Sequence, residues 1–368
     1  MKNFFASTWG VVLVGAVIGV VAVLLQYLGN PPNMGVCVAC FERDIAGALG
    51  LHRAGVVQYM RPEIIGFVLG SLAAALIFRD FRARAGSAPI IRFVLGFFAM
   101  IGALVFLGCP WRALLRLAGG DLNAILGLAG LAVGVFIGTL FLRKGYSLGR
   151  SNKSPAMVGL MLPLIMVVFL VLLFLFPAIA PQGEEKSVQN LIWHSVAGPG
   201  SMHAALGISL GVGLLVGFIA QRSRFCTMGA FRDLFLFRQM HLMLGVIALV
   251  VAAVILNLVL GSFNAGFEGQ PVAHSLYLWN FLGMVLAGWA FALAGGCPGR
   301  QLFMAGEGDG DAATFVLGMI AGAAFSHNFS MASSPNGIGA YGDIGVYVGL
   351  ATCLLISVAM LKSKGGNQ

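Results

Sequence analysis

The sequence predicts an all-α polytopic membrane protein, because of its composition, its long apolar segments and the distribution of its basic residues. Of its 368 residues, 59% are hydrophobic and only 10% are charged, whereas soluble chains carry roughly a quarter charged residues. Glycine, at 52 residues, is about twice as frequent as usual, as expected where helices pack closely in lipid. The composition therefore excludes a soluble domain and predicts a chain that contacts the lipid bilayer.

Ten apolar segments approach the roughly 20 residues that a helix needs to cross a bilayer. They lie at about 9–28, 64–78, 93–108, 124–141, 156–176, 203–220, 240–261, 278–296, 312–328 and 344–361. The second and third segments are short, so we expect neighbouring helices to cover them or interruptions to break them. The first segment is too long for a signal peptide and lacks a small-residue cleavage site, so we interpret it as a span.

Basic residues predict the orientation, because cytoplasmic loops of membrane proteins are enriched in Lys and Arg. If both termini lie in the cytoplasm, the outer segments carry only Arg43, Arg53, Arg61, Arg112, Arg116 and Lys186. The other Lys and Arg residues then lie inside, and the outer loops 262–277 and 329–343 carry none. The net charge of +9 is therefore typical of a multi-pass membrane protein with both termini in the cytoplasm, and it does not indicate nucleic-acid binding.

Two motifs occur twice in the chain. Cys-Val-Ala-Cys-Phe-Glu-Arg-Asp at 37–44 matches Cys-Thr-Met-Gly-Ala-Phe-Arg-Asp at 226–233, with Cys, Arg and Asp in register. Gly-Cys-Pro-Trp-Arg at 108–112 matches Gly-Cys-Pro-Gly-Arg at 296–300. The two matches have nearly the same offset along the chain, so they indicate an internal repeat.

Each copy of this repeat contains five of the predicted spans, and an odd number of spans inverts the second copy relative to the first. Inverted repeats are typical of transporters, whose binding sites lie near the middle of the membrane on broken helices. We therefore predict a first repeat at 1–180, a periplasmic connector at 181–201 and an inverted second repeat at 202–368. Re-entrant or broken helices carry the cysteine motifs in this prediction.

Cys109 and Cys297 each precede a proline, which favours the first position of a helix. We expect both cysteines at the N-caps of short helices that begin inside the membrane. A helix N-terminus offers free N–H groups and a partial positive charge, and Arg112 and Arg300 lie three residues further on. This arrangement suits an anion, since an uncompensated charge in hydrocarbon is very costly.

Inversion would expose Cys37 and Cys109 from outside the membrane and Cys226 and Cys297 from inside. The sequence therefore predicts a substrate pathway along these four cysteines. The supporting residues are Cys40, Arg43, Asp44, Arg112, Asp121, Arg232, Asp233, Arg300 and Asp309.

We interpret several of these supporting residues as structural. The pairs Arg43–Asp44 and Arg232–Asp233 are read as local ion pairs that fix the helices after them. Asp309, with Glu307 and Asp311, is read as a helix-capping turn rather than a cation site, and Asp121 supports that interpretation. The histidines have no spacing typical of metal ligands and no P-loop occurs, so we predict neither a metal nor a cofactor.

Glycines spaced by four predict close contacts between helices. The sets are Gly15/Gly19, Gly66/Gly70, Gly130/Gly134/Gly138, Gly207/Gly211, Gly213/Gly217 and Gly318/Gly322.

The motifs resemble the YeeE/YedE family of membrane transporters for sulfur compounds, and the segment around Cys37 is most similar to its selenium-transport branch. The resemblance rests on Gly-Asn-Pro-Pro-Asn-Met-Gly-Val-Cys-Val-Ala-Cys-Phe-Glu-Arg-Asp at 29–44, Arg-Phe-Cys-Thr-Met-Gly-Ala-Phe-Arg-Asp at 224–233 and Gly-Gly-Cys-Pro-Gly-Arg at 295–300.

This resemblance implies an importer and not an enzyme, in which cysteines hand on a thiosulfate-like sulfur or selenium anion through S–H contacts. By resemblance, the pathway cysteines are Cys37, Cys109 and Cys297, with Cys226 as the fourth. It also implies a cytoplasmic sulfur-carrier partner of the sulfurtransferase-like type.

Two alternatives stay open at this point. The cysteines could bind the anion through S–H contacts, or they could carry sulfur covalently as a persulfide-like adduct. A membrane thiol oxidoreductase that uses Cys37 and Cys40 is the alternative function, and substitution of Cys40 alone would abolish such an activity.

Overall fold

The computed structural model describes residues 4–176 and 192–361. Within these residues the chain forms fourteen α-helices, two turns of 3-10 helix and a single pair of two-residue strands. The predicted all-α fold is therefore confirmed. The first part of the predicted connector at 181–201 lies outside the described residues, as do Lys2, Lys186, Lys362 and Lys364.

The order of long and short helices is the same in the two halves of the chain. The helices of the first half are Thr8–Tyr27 (α1), Val38–Ala48 (α2), Pro62–Ile77 (α3), Pro89–Phe106 (α4), Pro110–Ala118 (α5), Asn123–Arg143 (α6) and Ala156–Leu175 (α7). Those of the second half are Leu206–Ser223 (α8), Thr227–Phe237 (α9), His241–Val259 (α10), Tyr277–Ala294 (α11), Pro298–Gly306 (α12), Gly310–Asn328 (α13) and Gly342–Ala359 (α14). The strands Arg84–Ala85 (β1) and Asn152–Lys153 (β2) pair antiparallel. The short helices α2, α5, α9 and α12 each begin directly after a cysteine.

The ten longer helices coincide with the ten predicted spans. Among the described residues, eight helical segments are long and apolar enough to cross a membrane, and three of these include the short helices α5, α9 and α12. Helix α3, with 16 residues, is shorter than the roughly 20 residues of a full span. The length and composition of the helices therefore show a multi-pass membrane protein.

The core lies at the junction of the two halves. The most extensive helix contacts join α6 to α11, α3 to α8, α1 to α10 and α4 to α13, so each of these pairs takes one helix from each half. The last helix of each half has different neighbours: α7 packs on α3, α12 and α13, whereas α14 packs on α4, α11 and α6.

Glycine permits these close helix contacts. A Cβ atom at Gly15 would overlap the carbonyl oxygen of Gly245 at the contact of α1 with α10, and one at Gly318 would overlap that of Phe93. The predicted packing role is confirmed for every glycine set but one. It is wrong for Gly207 and Gly211, where no heavy atom of the described chain lies within 4 Å of such a Cβ.

Four arginines that the sequence assigns to outer segments lie inside the protein. Arg43 is 2% exposed, and Arg61, Arg112 and Arg116 are each 0% exposed. These four side chains are therefore buried around the repeated motifs and are not exposed in loops.

Candidate functional site

Two thiols of the first half lie in contact. Cys37 is the N-cap of α2 and Cys109 is the N-cap of α5, and their Sγ atoms are 3.8 Å apart. The backbone N–H of Cys40 donates to Sγ of Cys37 at 3.3 Å. Both thiols are free and at most 1% exposed. We call Cys37 and Cys109 the first thiol pair.

The second half has the same arrangement. Cys226 is the N-cap of α9 and Cys297 is the N-cap of α12. Sγ of Cys226 accepts hydrogen bonds from the backbone N–H of Gly229 at 3.2 Å and from that of Cys297 at 3.5 Å. We call Cys226 and Cys297 the second thiol pair.

The predicted N-cap positions of Cys109 and Cys297 are thus confirmed. Cys37 and Cys226 also cap helices, and this position was not predicted because no proline follows either cysteine. All four predicted pathway cysteines therefore stand at the start of a short helix, where backbone N–H groups are free to meet an anion.

Arg112 supplies a buried positive charge beside the first thiol pair. Its guanidinium donates to Sγ of Cys40 at 3.6 Å, to the carbonyl oxygen of Val272 at 3.0 Å and to that of Leu107. Its Nε has no acceptor, and no carboxylate pairs with it in the described part of the chain. Arg112 is fully buried, and its hydrogen-bond partners are backbone carbonyl oxygens and the sulfur of Cys40.

The predicted ion pair of Arg43 with Asp44 is confirmed at 2.7 Å, and Arg61 binds the second oxygen of the same carboxylate at 2.7 Å. Arg61 comes from the N-cap of α3, and the sequence analysis missed this role. The pair of Arg232 with Asp233, at 2.8 Å, is also confirmed, with side chains 33% and 20% exposed.

Asp121 and Asp309 hold equivalent turns. Asp309 is the N-cap of α13, accepts from the N–H of Ala312 at 3.0 Å, and pairs with Arg84 at 2.8 Å. Asp121 accepts from the N–H of Asn123 at 2.9 Å and pairs with Arg116 at 2.6 Å. The capping interpretation is therefore confirmed for Asp309. Asp121 stands one residue before Leu122, the N-cap of α6, and holds the turn through the N–H of Asn123.

The second thiol pair lies next to a surface pocket of about 390 Å³. The pocket wall includes Cys226 and the basic side chains of Arg224, Arg232, Arg300 and His241. Arg300 is paired there with Glu307 at 2.9 Å. We call this cavity the basic pocket.

A cluster of rings connects the surroundings of the two thiol pairs. The ring of Trp111, two residues after Cys109, lies 5.9 Å from that of Phe67 and 6.0 Å from those of Phe225 and Phe303. Phe225 directly precedes Cys226. We call Phe67, Trp111, Phe225 and Phe303 the aromatic cluster.

The residues of this cluster were not among the predicted site residues, although the repeat contains a signal for them. Trp111 and Gly299 occupy the same position of the two Cys-Pro motifs, and a Cβ at Gly299 would lie 3.2 Å from the Trp111 ring. The glycine of one copy therefore makes room for the tryptophan of the other. The indole N–H of Trp111 has no acceptor in the described part of the chain.

Residues 222–362 match a protein-family model described as sulphur transport. This segment of the chain is similar to sulphur-transport domains. The predicted family resemblance is therefore confirmed over the part that contains the second thiol pair. This segment includes α9 to α14 and the basic residues Arg224, Arg232 and Arg300.

The chain is also similar to the thiosulfate transporter TsuA of Escherichia coli strain K12. The two are 32% identical over 97 residues, which is 26% of this chain and 27% of the relative. The match thus spans about a quarter of the relative's length.

No group of three or more His, Cys, Asp or Glu side chains arranged for a metal ion occurs in residues 4–176 and 192–361. The site consists of thiols, helix N-termini and basic side chains. This donor set presents hydrogen atoms and positive charge, so its chemistry suits an anion.

Proposed function

We propose that the protein imports a small sulfur-containing anion of the thiosulfate type. The observation that carries this proposal is the fully buried guanidinium of Arg112 beside the first thiol pair. A buried charge without an opposite charge is unfavourable, and an anion would supply that charge. The thiols are weak, polarizable donors, which suits a substrate that must be released again.

In this proposal the anion passes the first thiol pair, the aromatic cluster and the second thiol pair in that order. Three buried donors along this route have no acceptor in the described part of the chain: Nε of Arg112, the indole N–H of Trp111 and the hydroxyl of Thr227. An unpaired buried polar group costs about 1–3 kcal/mol. Contact with an oxyanion would remove this cost at each position in turn.

We favour transfer through S–H contacts over covalent transfer. Formation of a persulfide-like adduct from thiosulfate would break its S–S bond and release sulfite, so the intact anion would not cross the membrane. Hydrogen bonds from thiols and from the unpaired donors break no bond of the anion, and each is weak enough to break by thermal motion.

The proposed architecture is an inverted repeat of residues 1–180 and 202–368 around this route. Each helix of the first half has a counterpart at the same place in the second half. The contact of α1 with α10 therefore corresponds to that of α8 with α3, and the contact of α4 with α13 corresponds to that of α11 with α6. Two backbone bridges correspond in the same way: the bridge between Arg84 and Asp309 has its counterpart in the bridge between Gly266 and Asp121. Helices α7 and α14 stand outside this correspondence.

The proposed location is the bacterial inner membrane, with both termini in the cytoplasm. The distribution of basic residues supports this orientation, which would open the basic pocket to the cytoplasm. A sulfurtransferase-like carrier protein could collect the anion there. The connector at 181–201 would then lie in the periplasm.

Uptake of radiolabelled thiosulfate into cells that contain the protein tests this proposal. We expect Cys109→Ala and Cys297→Ala each to reduce uptake about tenfold or more, since one lost contact of about 1.4 kcal/mol corresponds to a factor of ten. Cys353→Ala is the matched control, because this buried thiol of α14 lies outside both pairs.

Normal uptake by both pathway variants would contradict the role of the cysteines. Unlabelled selenite as a competitor tests the selenium branch: competition would extend the substrate class to selenium oxyanions, and its absence would restrict it to sulfur.

A further inference from the structure

Glu42 is a buried carboxyl group that the proposed route does not use. It lies in α2, between Cys40 and Arg43, and is 0% exposed. Neither carboxyl oxygen has a hydrogen-bond partner in the described part of the chain. In the second half, the equivalent position of the repeated motif is Phe231, so the carboxyl is specific to the first half.

Glu42 lies in the helix that Cys37 caps, and Sγ of Cys37 is 3.8 Å from Sγ of Cys109. A charge on Glu42 therefore acts on the first thiol pair. Helix α2 packs against α3, α4, α12 and α13, and the ionisable side chains of those helices have other contacts. These are Glu63 with Asn30, Arg92 with Ser87, Arg300 with Glu307, Asp309 with Arg84, Asp311 with the backbone of Ser87, and His327 with His52.

The ionisable groups of α2 itself also have partners. Arg43 pairs with Asp44, and Sγ of Cys40 accepts from Arg112. Glu42 is therefore the group of this helix whose charge is neither paired nor solvated. Ionisable residues in this position inside membrane proteins commonly form proton pathways.

We propose that Glu42 is a proton-binding site and that it carries one proton inward with each anion. This inference rests on the proposed import of a sulfur anion. An ionised Glu42 would repel an anion at the Cys109 thiol, whereas a protonated Glu42 is neutral and has an O–H that can donate to it. Anion and proton therefore favour each other's binding, and this coupling is reciprocal.

The step changes no bond within the anion. A proton from the outer solution binds a carboxyl oxygen of Glu42 when the anion reaches the first thiol pair. It dissociates to the cytoplasmic side after the anion has moved to the second pair, and Glu42 is then ready to bind the next proton.

The test uses the full chain in proteoliposomes, with thiosulfate as the anion and a pH-sensitive dye inside. Valinomycin and equal potassium concentrations on both sides hold the membrane potential at zero. For one proton per anion, an inward gradient of about one pH unit should raise the accumulation ratio about tenfold, since 1.4 kcal/mol corresponds to a factor of ten. Addition of thiosulfate without a gradient should acidify the interior.

Glu42→Gln keeps the shape of the side chain and removes the proton-binding oxygen. We expect this variant to equilibrate thiosulfate without acidification and without a response to the pH gradient. Glu63→Gln is the control, because this second buried carboxyl is bound by Asn30 at 2.7 Å, and it should retain both responses.

The outcomes separate the two proposals. Import by the wild type without acidification or gradient response would overturn the role of Glu42 and leave the import function standing. Because this measurement uses only the wild type, it tests the role of Glu42 even if Glu42→Gln fails to fold. Retention of both responses by Glu42→Gln would also overturn the inference, and absence of import by the wild type would overturn the proposed function itself.

Discussion

The two thiol pairs share a backbone arrangement but differ in their surroundings. In both halves, two cysteines cap two short helices. The first pair lies among fully buried charged residues such as Arg112 and Glu42, whereas the second pair borders the open basic pocket. The repeat therefore fixes where the thiols stand, and the non-repeated side chains decide what can reach them.

This difference has an electrostatic consequence. The repeated arginine of the first Cys-Pro motif, Arg112, is buried without a carboxylate partner in the described chain, whereas its counterpart Arg300 pairs with Glu307 beside the pocket. Water in a pocket screens charges, but a buried charge acts at nearly full strength. We therefore expect the first half to bind the anion tightly and the second half to release it.

The largest expected effect comes from Arg112→Gln. Loss of a buried, hydrogen-bonded charge from a charge pair costs about 2–5 kcal/mol, which corresponds to at least about thirtyfold weaker binding. Thiosulfate uptake, normalised to the amount of protein in the membrane, should fall accordingly. Arg112→Lys keeps the charge but loses the planar fork, so its uptake should lie between those of the wild type and Arg112→Gln.

Arg300→Gln is the matched variant in the other half. Its charge is already neutralised by Glu307 at 2.9 Å, so uptake should change by less than about fivefold, as for a partly exposed pair worth up to about 1 kcal/mol. Equal losses from the two variants would show that burial does not distinguish the two arginines, and the comparison of the halves would fail.

Ion pairs that are equivalent in the two halves provide a second comparison. The side chains of Arg116 and Asp121 are both 0% exposed, whereas those of Arg84 and Asp309 are 31% and 7% exposed. Breaking a buried pair typically costs about 3–5 kcal/mol, because it leaves an uncompensated charge. The pair of Arg84 with Asp309 is partly exposed on the arginine side, so we expect it to contribute less, about 1 kcal/mol.

Asp121→Asn should therefore destabilise the protein by about 3–5 kcal/mol, and Asp309→Asn should be close to neutral because asparagine also caps helices well. Thermal unfolding of the purified variants in detergent measures both. Similar midpoints for the two variants would contradict the assigned difference in burial.

Local sequence patterns predicted the features that depend on backbone chemistry. Cys109 and Cys297 could be placed at helix N-caps because proline follows each of them. Helices α2 and α9 escaped prediction because they carry the Arg-Asp motifs, and polar residues interrupt the apolar run by which spans are recognised. Their cysteines therefore looked like loop residues.

Features that depend on distant parts of the chain were not predictable from local patterns. Arg61 reaches Asp44 across the loop between α2 and α3, and no spacing rule identifies such a partner. Gly207 and Gly211 have the same spacing as the packing glycines, but no helix of the described chain covers them. The repeat also does not predict the neighbours of its last helices, since α7 packs on α3 of its own half whereas α14 packs on α11 of its own half, which is not the equivalent helix.

The smallest effect is expected from Cys40→Ala, at the position where the second half has Gly229. The sulfur of Cys40 accepts from Arg112 at 3.6 Å, but Arg112 keeps the carbonyl oxygens of Leu107 and Val272 as acceptors. Loss of one weak acceptor, worth about 0.5 kcal/mol, should change thiosulfate uptake by no more than about threefold.

The same variant tests the alternative function, because a thiol oxidoreductase built on Cys37 and Cys40 would lose all activity without Cys40. A loss of uptake as large as that of Cys109→Ala would mean that the non-repeated thiol is essential, and that a cysteine pair within the first half, rather than the symmetry between the halves, performs the chemistry.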